Sequence, residues 1–437
     1  MGHDTDSADH DFLAELRWRG LLHQTAGEEV ARHVGQASTA PRIAYVGFDP
    51  TAEALTIGNF IQIKLLAHWQ RCGHRPIVLM GGGTGLIGDP SGKSAERQLL
   101  DAERVAANVE AQRPTFARVL DFSESASNRA VILNNLDWLG PIGYLEMLRD
   151  VGKHFSVNQM IQRDSVAARL NSREQGISYT EFSYVLLQAY DFLHLFRTRS
   201  CTVQLGGSDQ YGNIVSGMDL IRRMAGGEAF GVTTPLVANR DGTKIGKSER
   251  GAIYLDASRT SPFAFHQFWL NVADDEVGRY LRFFTFLDEA EVLELEAAHA
   301  AAPQERAAQR RLAALMTELF HGVGERARAE LAAAALFSGD VRSLDARSLR
   351  EVASELPGSV EERAALAGEG VPLADVLVRT ALVTSKREAR EFLAAGAISV
   401  NGERIEPEHR LTASDLLHGE TTLLRRGRKH WHAVAWR

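Results

Sequence analysis

Ile43-Ala-Tyr-Val-Gly-Phe48 and Pro76-Ile-Val-Leu-Met80 are short apolar runs bounded by Gly and Pro, and residues 59–72 between them carry apolar side chains at helical spacing. Strand, helix, strand in that order is the crossover unit of a parallel sheet. The fold class this implies is α/β. Working outward, further strands are expected at 130–133 and 201–205, with helices at 12–22, 158–171, 181–196 and 209–224. After about Leu236 the texture turns helical: Ser261-Pro262 has the order of an N-cap followed by Pro at the first helical position, and residues 288–337 are Ala, Glu, Leu and Arg at helical spacing. The domains expected are a disordered tail at 1–10, an α/β domain at 11–244 with an insertion, an all-α domain at 245–340, a connector at 341–370 rich in turn residues, and a small C-terminal unit at 371–437.

Composition narrows the class. The chain has 437 residues, 44% hydrophobic and 24% charged, with a mean hydropathy of −0.19. These are globular values, which exclude a fibrous or wholly disordered chain. No uninterrupted apolar run reaches the length of a membrane span, and the acidic N-terminus lacks the apolar stretch of a signal peptide, so a cytoplasmic protein with no membrane partner is expected. Cys72 and Cys201 are the only cysteines, too few for a disulfide framework or a thiolate metal site. Net charge is −7, yet residues 371–437 carry 11 Lys+Arg against 8 Asp+Glu. A polyanion would therefore be met at the C-terminus.

Leu79 to Ser94 reads LMGGGTGLIGDPSGKS and contains Gly83-Thr-Gly85-Leu-Ile-Gly88 directly after an expected strand. A dinucleotide site would open a helix on the third glycine, but Pro90 disfavours a helical Asp89. Gly92-Lys93-Ser94 resembles the end of a phosphate-binding P-loop, but Ile87 stands where that motif needs glycine. Both readings fall. What the glycines do permit is close approach of the backbone to a ligand, with Lys93 and Arg97 following to meet negative charge.

Thr180 to Leu193 reads as a mostly apolar helix on which Tyr184, Gln188 and Asp191 fall at i, i+4 and i+7. A solvated face is the plain alternative, but such faces are broad and charged, whereas this stripe is narrow. A buried helix must satisfy those groups, and a small polar ligand could do so. Gln204-Leu-Gly206-Gly207-Ser208-Asp209-Gln210-Tyr-Gly-Asn213 follows a short strand and opens a helix, the edge position where α/β sheets bind ligands. Asn239-Arg-Asp-Gly-Thr-Lys244-Ile-Gly-Lys247-Ser248 is a polar loop with lysines three apart.

In this order the clusters resemble a bacterial tyrosyl-tRNA synthetase, a class I aminoacyl-tRNA synthetase, over about residues 11–437. The resemblance rests on Tyr45-Val-Gly-Phe-Asp49-Pro-Thr51-Ala, Gly85-Leu-Ile-Gly-Asp89-Pro-Ser-Gly, Val151-Gly-Lys-His-Phe-Ser-Val, Tyr184 through Asp191, and Gly206-Gly-Ser-Asp-Gln210. Lys244-Ile-Gly-Lys247-Ser248 stands where that family has its KMSKS loop. It implies a Rossmann-like catalytic domain, an all-α anticodon-region domain and a small α+β RNA-binding domain. It implies L-tyrosine, ATP with Mg2+ and tRNA(Tyr) as partners, a homodimer, and no metal held by the protein.

Carried over residue by residue, the resemblance assigns Tyr45 and Asp191 to the phenolic hydroxyl of tyrosine, Tyr184, Gln188 and Asp89 to its ammonium, and Gln210 to its carboxylate. Gly58, Gly207 and Asp209 go to ATP, with Asp49 and Thr51 beside the nucleotide. Lys93, Arg97, Lys244, Lys247 and Ser248 go to the leaving pyrophosphate. The mechanism implied needs no protein nucleophile, because the tyrosine carboxylate itself attacks the α-phosphorus and catalysis is positioning plus charge stabilisation.

The C-terminal unit resembles the alpha-L RNA-binding motif. Ser385-Lys386-Arg387-Glu388 has capping-box order on a helix also carrying Arg390, Asn401-Gly402 is a hairpin turn, and Arg425, Arg426, Arg428 and Lys429 stand near Trp431. One departure matters. The family's HIGH signature is Thr56-Ile57-Gly58-Asn59 here, without either histidine. The alternatives are therefore a catalytically weak homologue acting as an RNA-binding factor, and a ligase for another amino acid.

Overall fold

The computed structural model describes residues 11–35, 41–89, 100–162, 166–167, 177–238, 245–248, 251–380 and 382–437. The expected tail at 1–10 lies outside them. The chain divides into two compact units, Met1–Leu255 with Glu276–Ala301, and Asp256–Asp275 with Ala302–Arg437.

The first unit is built on a six-stranded sheet of β1 (Gln24–Ala26), β2 (Ile43–Phe48), β3 (Arg75–Met80), β4 (Val131–Asn134), β5 (Val203–Gly207) and β6 (Phe230–Thr234). Their order is β1-β6-β5-β2-β3-β4, parallel throughout except for β1, which runs antiparallel along β6. Helix α1 (Phe12–Arg19) precedes the sheet, and α2 (Ile57–Arg71) makes the crossover from β2 to β3. Further long helices are α3 (Ala102–Phe116), α5 (Tyr179–Arg199), α6 (Tyr211–Ala225) and, later in the chain, Glu289–Ala301, with a single turn, α4 (Leu136–Leu139), directly after β4. The strand order reverses at β2, which has β3 on one side and β5 on the other. In open α/β sheets the crevice beyond the strand ends at such a point is where ligands bind.

Most elements of the α/β half form where the sequence pattern puts them, but the 15-residue helix α3 is not among those expected. Strands β1 and β6 were not anticipated, because three and five residues with Thr and Gly among them lack a clear apolar run. Of the helix expected at 158–171, Val157–Ile161 is helical and residues 166–167 are helical too, the rest of the span lying largely outside the described residues. The chain does not turn all-helical at 245 either: Lys247–Ser248 pairs with Gly251–Ala252 as a small ribbon, and the next helix begins at Pro262 with Ser261 as its cap.

Helix α2 is locked in place from behind. Lys64 is wholly buried, and its Nζ donates to the carbonyl of Arg282 at 2.8 Å. Arg19 donates to the carbonyls of Arg282, Thr285 and Leu287 at 3.2, 3.2 and 2.6 Å and to Glu15 at 2.7 Å. Those carbonyls belong to the C-terminal end of the helix Val277–Phe284 and the residues after it, so two cations sit at the negative end of a helix dipole. This is why residues 276–301 cluster with the first unit and not with the helices that flank them in sequence.

The second unit joins helices Pro262–Leu270, Ala307–His321, Val323–Ser338 and Ala346–Glu355 to a five-stranded sheet. The segment expected as a connector is structured: Gly358–Glu361 is an edge strand pairing parallel to His430–Trp436. Phe263, Ala332 and Val352 from the helices share one apolar core with Leu423 and Trp431 from the sheet. The Asn-Gly turn is present, with φ of +50° at Asn401 and +84° at Gly402, the pair of positive values a two-residue hairpin requires. A Cβ at Gly402 would run into the carbonyl of Gly339, so glycine is also needed for the close approach.

Replacing Arg19 by Met should cost about 3 kcal/mol or more, since buried carbonyls and the Glu15 carboxylate lose their donor together. Urea unfolding of the intact chain, followed by tryptophan fluorescence, reads this as an earlier transition; an unchanged midpoint would contradict the role given to Arg19.

Candidate active site

Tyr45 and Gln204 face each other across β2 and β5, at the point where the strand order reverses. Tyr45 is 1% exposed, and its hydroxyl has no hydrogen-bond partner among the described residues. Burial raises its pKa well above the ordinary value, and the nearby Asp191 adds to the rise. Asp191, on α5, is also buried. Its two oxygens accept from Asn135 Nδ2 at 2.9 Å and Trp138 Nε1 at 2.7 Å. Burial pushes its pKa up to about 7 against the pull of those two donors. A buried hydroxyl without a partner beside a buried carboxylate is costly unless something polar comes between or beside them.

The stripe on α5 is therefore buried and not a solvated face. Tyr184 donates from its hydroxyl to Asp49 Oδ2 at 3.2 Å, and Thr84 donates to Asp49 Oδ1 at 2.9 Å. Asn135 closes this web, donating to Thr84 Oγ1 at 3.0 Å and accepting from the backbone N–H of Gly83 at 2.7 Å. A second web lies alongside. Gln188 Nε2 donates to Gln210 Oε1 at 3.2 Å, Asn213 Nδ2 donates to Gln188 Oε1 at 3.0 Å, and Gln210 Nε2 donates to Asp89 Oδ2 at 2.7 Å. Tyr45, Asp49, Asp89, Tyr184, Gln188, Asp191 and Gln210 are thus brought together.

The glycine-rich segment works differently from its sequence reading. A Cβ on Gly81 would meet Asp49 and Thr84, one on Gly82 would meet Asn134, and one on Gly85 would meet Pro50. In these positions glycine lets the loop pack on the protein's own polar side chains, which holds Asp49 and Asn135 in register. Lys93 and Arg97 lie outside the described residues.

At the other end of the crevice, Thr56 caps α2, and Asn59 Oδ1 accepts from both the N–H and the hydroxyl of Thr56, at 2.9 and 2.8 Å. That commits the Asn59 carbonyl oxygen to the cap and leaves its amide nitrogen to donate elsewhere. Gly58 is exposed at the helix start. Backbone bonds tie this turn to the chain that follows the lysine loop: Ile57 N to Ile253 O at 3.1 Å, Leu255 N to Leu55 O at 2.8 Å, and Ile253 N to Gly246 O at 2.7 Å. Gly246, at φ +83°, lies so close to Ile57 that a side chain there would overlap it. Lys244 lies outside the described residues, and Lys247 and Ser248 are described only as backbone of the ribbon. Thr51 is exposed, and Asp209 folds against Gly207, whose Cβ position would lie 2.5 Å from the Asp209 carboxylate.

Asn135, Trp138 and Thr84 join these webs without a sequence motif to mark them, and Asn213 joins from the first turn of α6. The one available signal was position, since Asn135 follows directly on β4, at the same end of the parallel strands as Asp49 and Gly207. The C-terminal cations are spread among partners. Lys386 pairs with Asp375 at 2.8 Å, Arg387 with Glu391 at 2.8 Å and Arg426 with Glu388 at 3.6 Å. Arg425 lies over Trp431 at 4.8 Å, while Arg390, Arg428 and Lys429 are exposed. Ser385 caps its helix as expected, but Glu388 reaches back to Thr384.

Polar side chains thus gather at the strand ends where the order of the parallel sheet reverses, beside the start of α2. The family described as tRNA synthetases class I (W and Y) matches residues 37–338, and the Tyrosine--tRNA ligase SYY-like C-terminal domain matches residues 351–434. The Tyrosine--tRNA ligase of Roseiflexus castenholzii is 48% identical over 97% of this chain and 99% of its own length. That of Geobacillus kaustophilus is 48% identical over 98% of this chain and its full length. Among solved structures, a C-terminally truncated mitochondrial tyrosyl-tRNA synthetase from Aspergillus nidulans superposes with a TM-score of 0.67 at 31% identity, covering 75% of this chain and 95% of that one. The chain belongs to the tyrosine--tRNA ligase family of aminoacyl-tRNA synthetases.

The geometry sets an expectation for Asp191 in the ligand-free chain. Carbon-13 NMR of labelled aspartate should show one carboxyl titrating near pH 7, missing in Asp191→Asn, and moving further up in Trp138→Phe because a donor to the ionised form is gone. A titration in the ordinary carboxylate range, around 4, would contradict the burial described.

Proposed function

We propose that this crevice activates L-tyrosine with ATP, giving tyrosyl-adenylate and pyrophosphate, and then passes the tyrosyl group to a ribose hydroxyl at the 3′ end of tRNA(Tyr). The observation that carries the reading is the buried, unpartnered Tyr45 hydroxyl beside the buried Asp191 carboxylate. A phenol supplies what both groups lack, donating to Asp191 and accepting from Tyr45. In this reading Asp89, Tyr184 and Gln188 hold the ammonium group, and Gln210 orients the carboxylate that attacks the α-phosphorus in line. Leaving oxygens and pyrophosphate depart toward Lys93, Arg97, Lys244, Lys247 and Ser248, while Asp49, Thr51, Gly58, Gly207 and Asp209 line the nucleotide.

No side chain acts as a nucleophile in this reaction. The two thiols suit that absence, since burial pushes the Cys72 pKa up to about 12 and raises that of Cys201 as well. Catalysis is the alignment of two bound substrates and the stabilisation of phosphate charge as it develops. Magnesium would come with ATP; of the carboxylates here, Asp49 already accepts from Thr84 and Tyr184, Asp89 from Gln210, and Asp191 from Asn135 and Trp138. Its chemistry there is to neutralise charge on the triphosphate.

The same reading makes the protein a homodimer. Leu136, Tyr144, Leu145, Val157, Ile161 and Tyr179 are all exposed within the first unit, an apolar surface of the kind that a second copy covers. Transfer to tRNA draws on the C-terminal sheet and the helix Lys386–Ala394, where Lys386, Arg387, Arg390, Arg425 and Arg426 meet phosphates. Two free cysteines suit a reducing compartment, the cytoplasm.

Asn59 stands in for a histidine of the family signature, with its Nδ2 as donor to phosphate. Asn59→Ala should slow adenylate formation by roughly 10²-fold, the loss typical of one preorganised donor. Tyrosine affinity should change little, because the contact strengthens in the transition state. Rapid-quench measurement of adenylate on the intact chain reads both. A wild-type protein that binds tyrosine and tRNA but forms no adenylate would instead support the RNA-binding factor.

A further inference from the structure

Trp138 carries more than its position can support alone. It sits on α4, a helix of four residues between the exposed Leu136-Asp137 pair and the exposed Gly140. One helical turn is not self-supporting, yet the indole must keep its N–H on Asp191 Oδ1 at 2.7 Å. The ring is held by His194. Its imidazole lies 4.4 Å from the indole, with the planes 12° apart. His194 stands three residues after Asp191 on α5, so one rigid helix carries both the acceptor and the clamp on the same side, and Trp138 fills the space between them.

We propose that His194 is a positioning residue for amino-acid selection: its stacking on Trp138 keeps the indole N–H on Asp191 and thereby keeps Asp191 an acceptor for the phenolic hydroxyl. The inference rests on the tyrosine reading above and adds to it a residue that touches neither substrate nor Asp191 through any hydrogen bond. The physical sequence is short. An indole free to swing takes one of two donors from a buried carboxylate, and that favours the protonated carboxyl. A protonated Asp191 accepts the phenol less well and is left in less difficulty by phenylalanine. Selection therefore weakens from both sides. The nucleotide and the attacked phosphorus lie at the opposite end of the amino acid and are untouched.

Steady-state pyrophosphate exchange on the intact chain tests this. His194→Ala should raise the tyrosine KM by about 2- to 10-fold, the range one aromatic pair supports. The ATP KM and kcat should hold, and the preference for tyrosine over phenylalanine should fall by a similar factor. His194→Phe, which restores an aromatic face, should recover both values. In a Trp138→Phe background, where there is no indole N–H to aim, His194→Ala should add nothing. An unchanged tyrosine KM in His194→Ala would overturn the proposal. So would equal losses in tyrosine KM, ATP KM and kcat, the mark of general damage, or full additivity with Trp138→Phe. Wild-type chain that exchanges no pyrophosphate with tyrosine would overturn the tyrosine reading itself, before any variant is compared.

Discussion

A carboxylate taken out of water keeps its charge only if donors hold it, and Asp191 sits at the edge of that condition. Two donors from one turn of chain, Asn135 and Trp138, oppose a burial that has already pushed its pKa up to about 7. Everything around it follows from keeping that turn in place. Strand β4 delivers Asn135, the backbone N–H of Gly83 pins its amide oxygen, and Thr84 passes the constraint on to Asp49 and from there to Tyr184. The loops after β3 and β4 and the middle of α5 are thereby one hydrogen-bonded body. Such webs cost little when complete and a great deal when one member is lost.

The same logic explains the close contacts of the glycines. Gly81, Gly82 and Gly85 come against Asp49, Asn134 and Pro50 because the web leaves no room for a Cβ. The start of α2 is organised by backbone instead. Helix α2 begins at a turn tied to Ile253 and Leu255, and Gly246 packs on Ile57, so the helix start and the chain carrying the lysine loop are coupled by main-chain bonds. Lys64 and Arg19 anchor the far side of α2 on the carbonyls after Val277–Phe284. Under the proposed reading, a side-chain web that positions the amino acid and a backbone-tied helix start beside the nucleotide suit a reaction whose catalysis is alignment.

Much of this was legible in the sequence. Parallel β2 and β3 declared themselves through apolar runs broken by Gly and Pro, and α5 through a polar stripe too narrow for a solvated face. Strands β1 and β6 did not, because three residues at the sheet edge and five with Gly and Thr among them carry no periodic signal. Asp191 was visible as a polar residue on an apolar helix, but its donors were not, since Asn135 and Trp138 are 56 and 53 residues away and only the strand order brings them close. The glycine loop was read as a ligand cradle because sequence gives a glycine's freedom without saying what uses it. Residues 276–301 looked continuous with the helices beside them, and it took two buried cations to bind them to the α/β unit instead.

The central claim is that Tyr45 and Asp191 demand a phenol. Its most direct measurement is the ratio of kcat/KM for tyrosine and phenylalanine in pyrophosphate exchange by the unmodified chain. Sites that leave buried polar groups unpaired with the wrong ligand reject it by about 10⁴- to 10⁵-fold, tyrosyl-tRNA synthetases being the standard example of that range. A ratio of that order is the result the account predicts. Equal values for the two amino acids would contradict it.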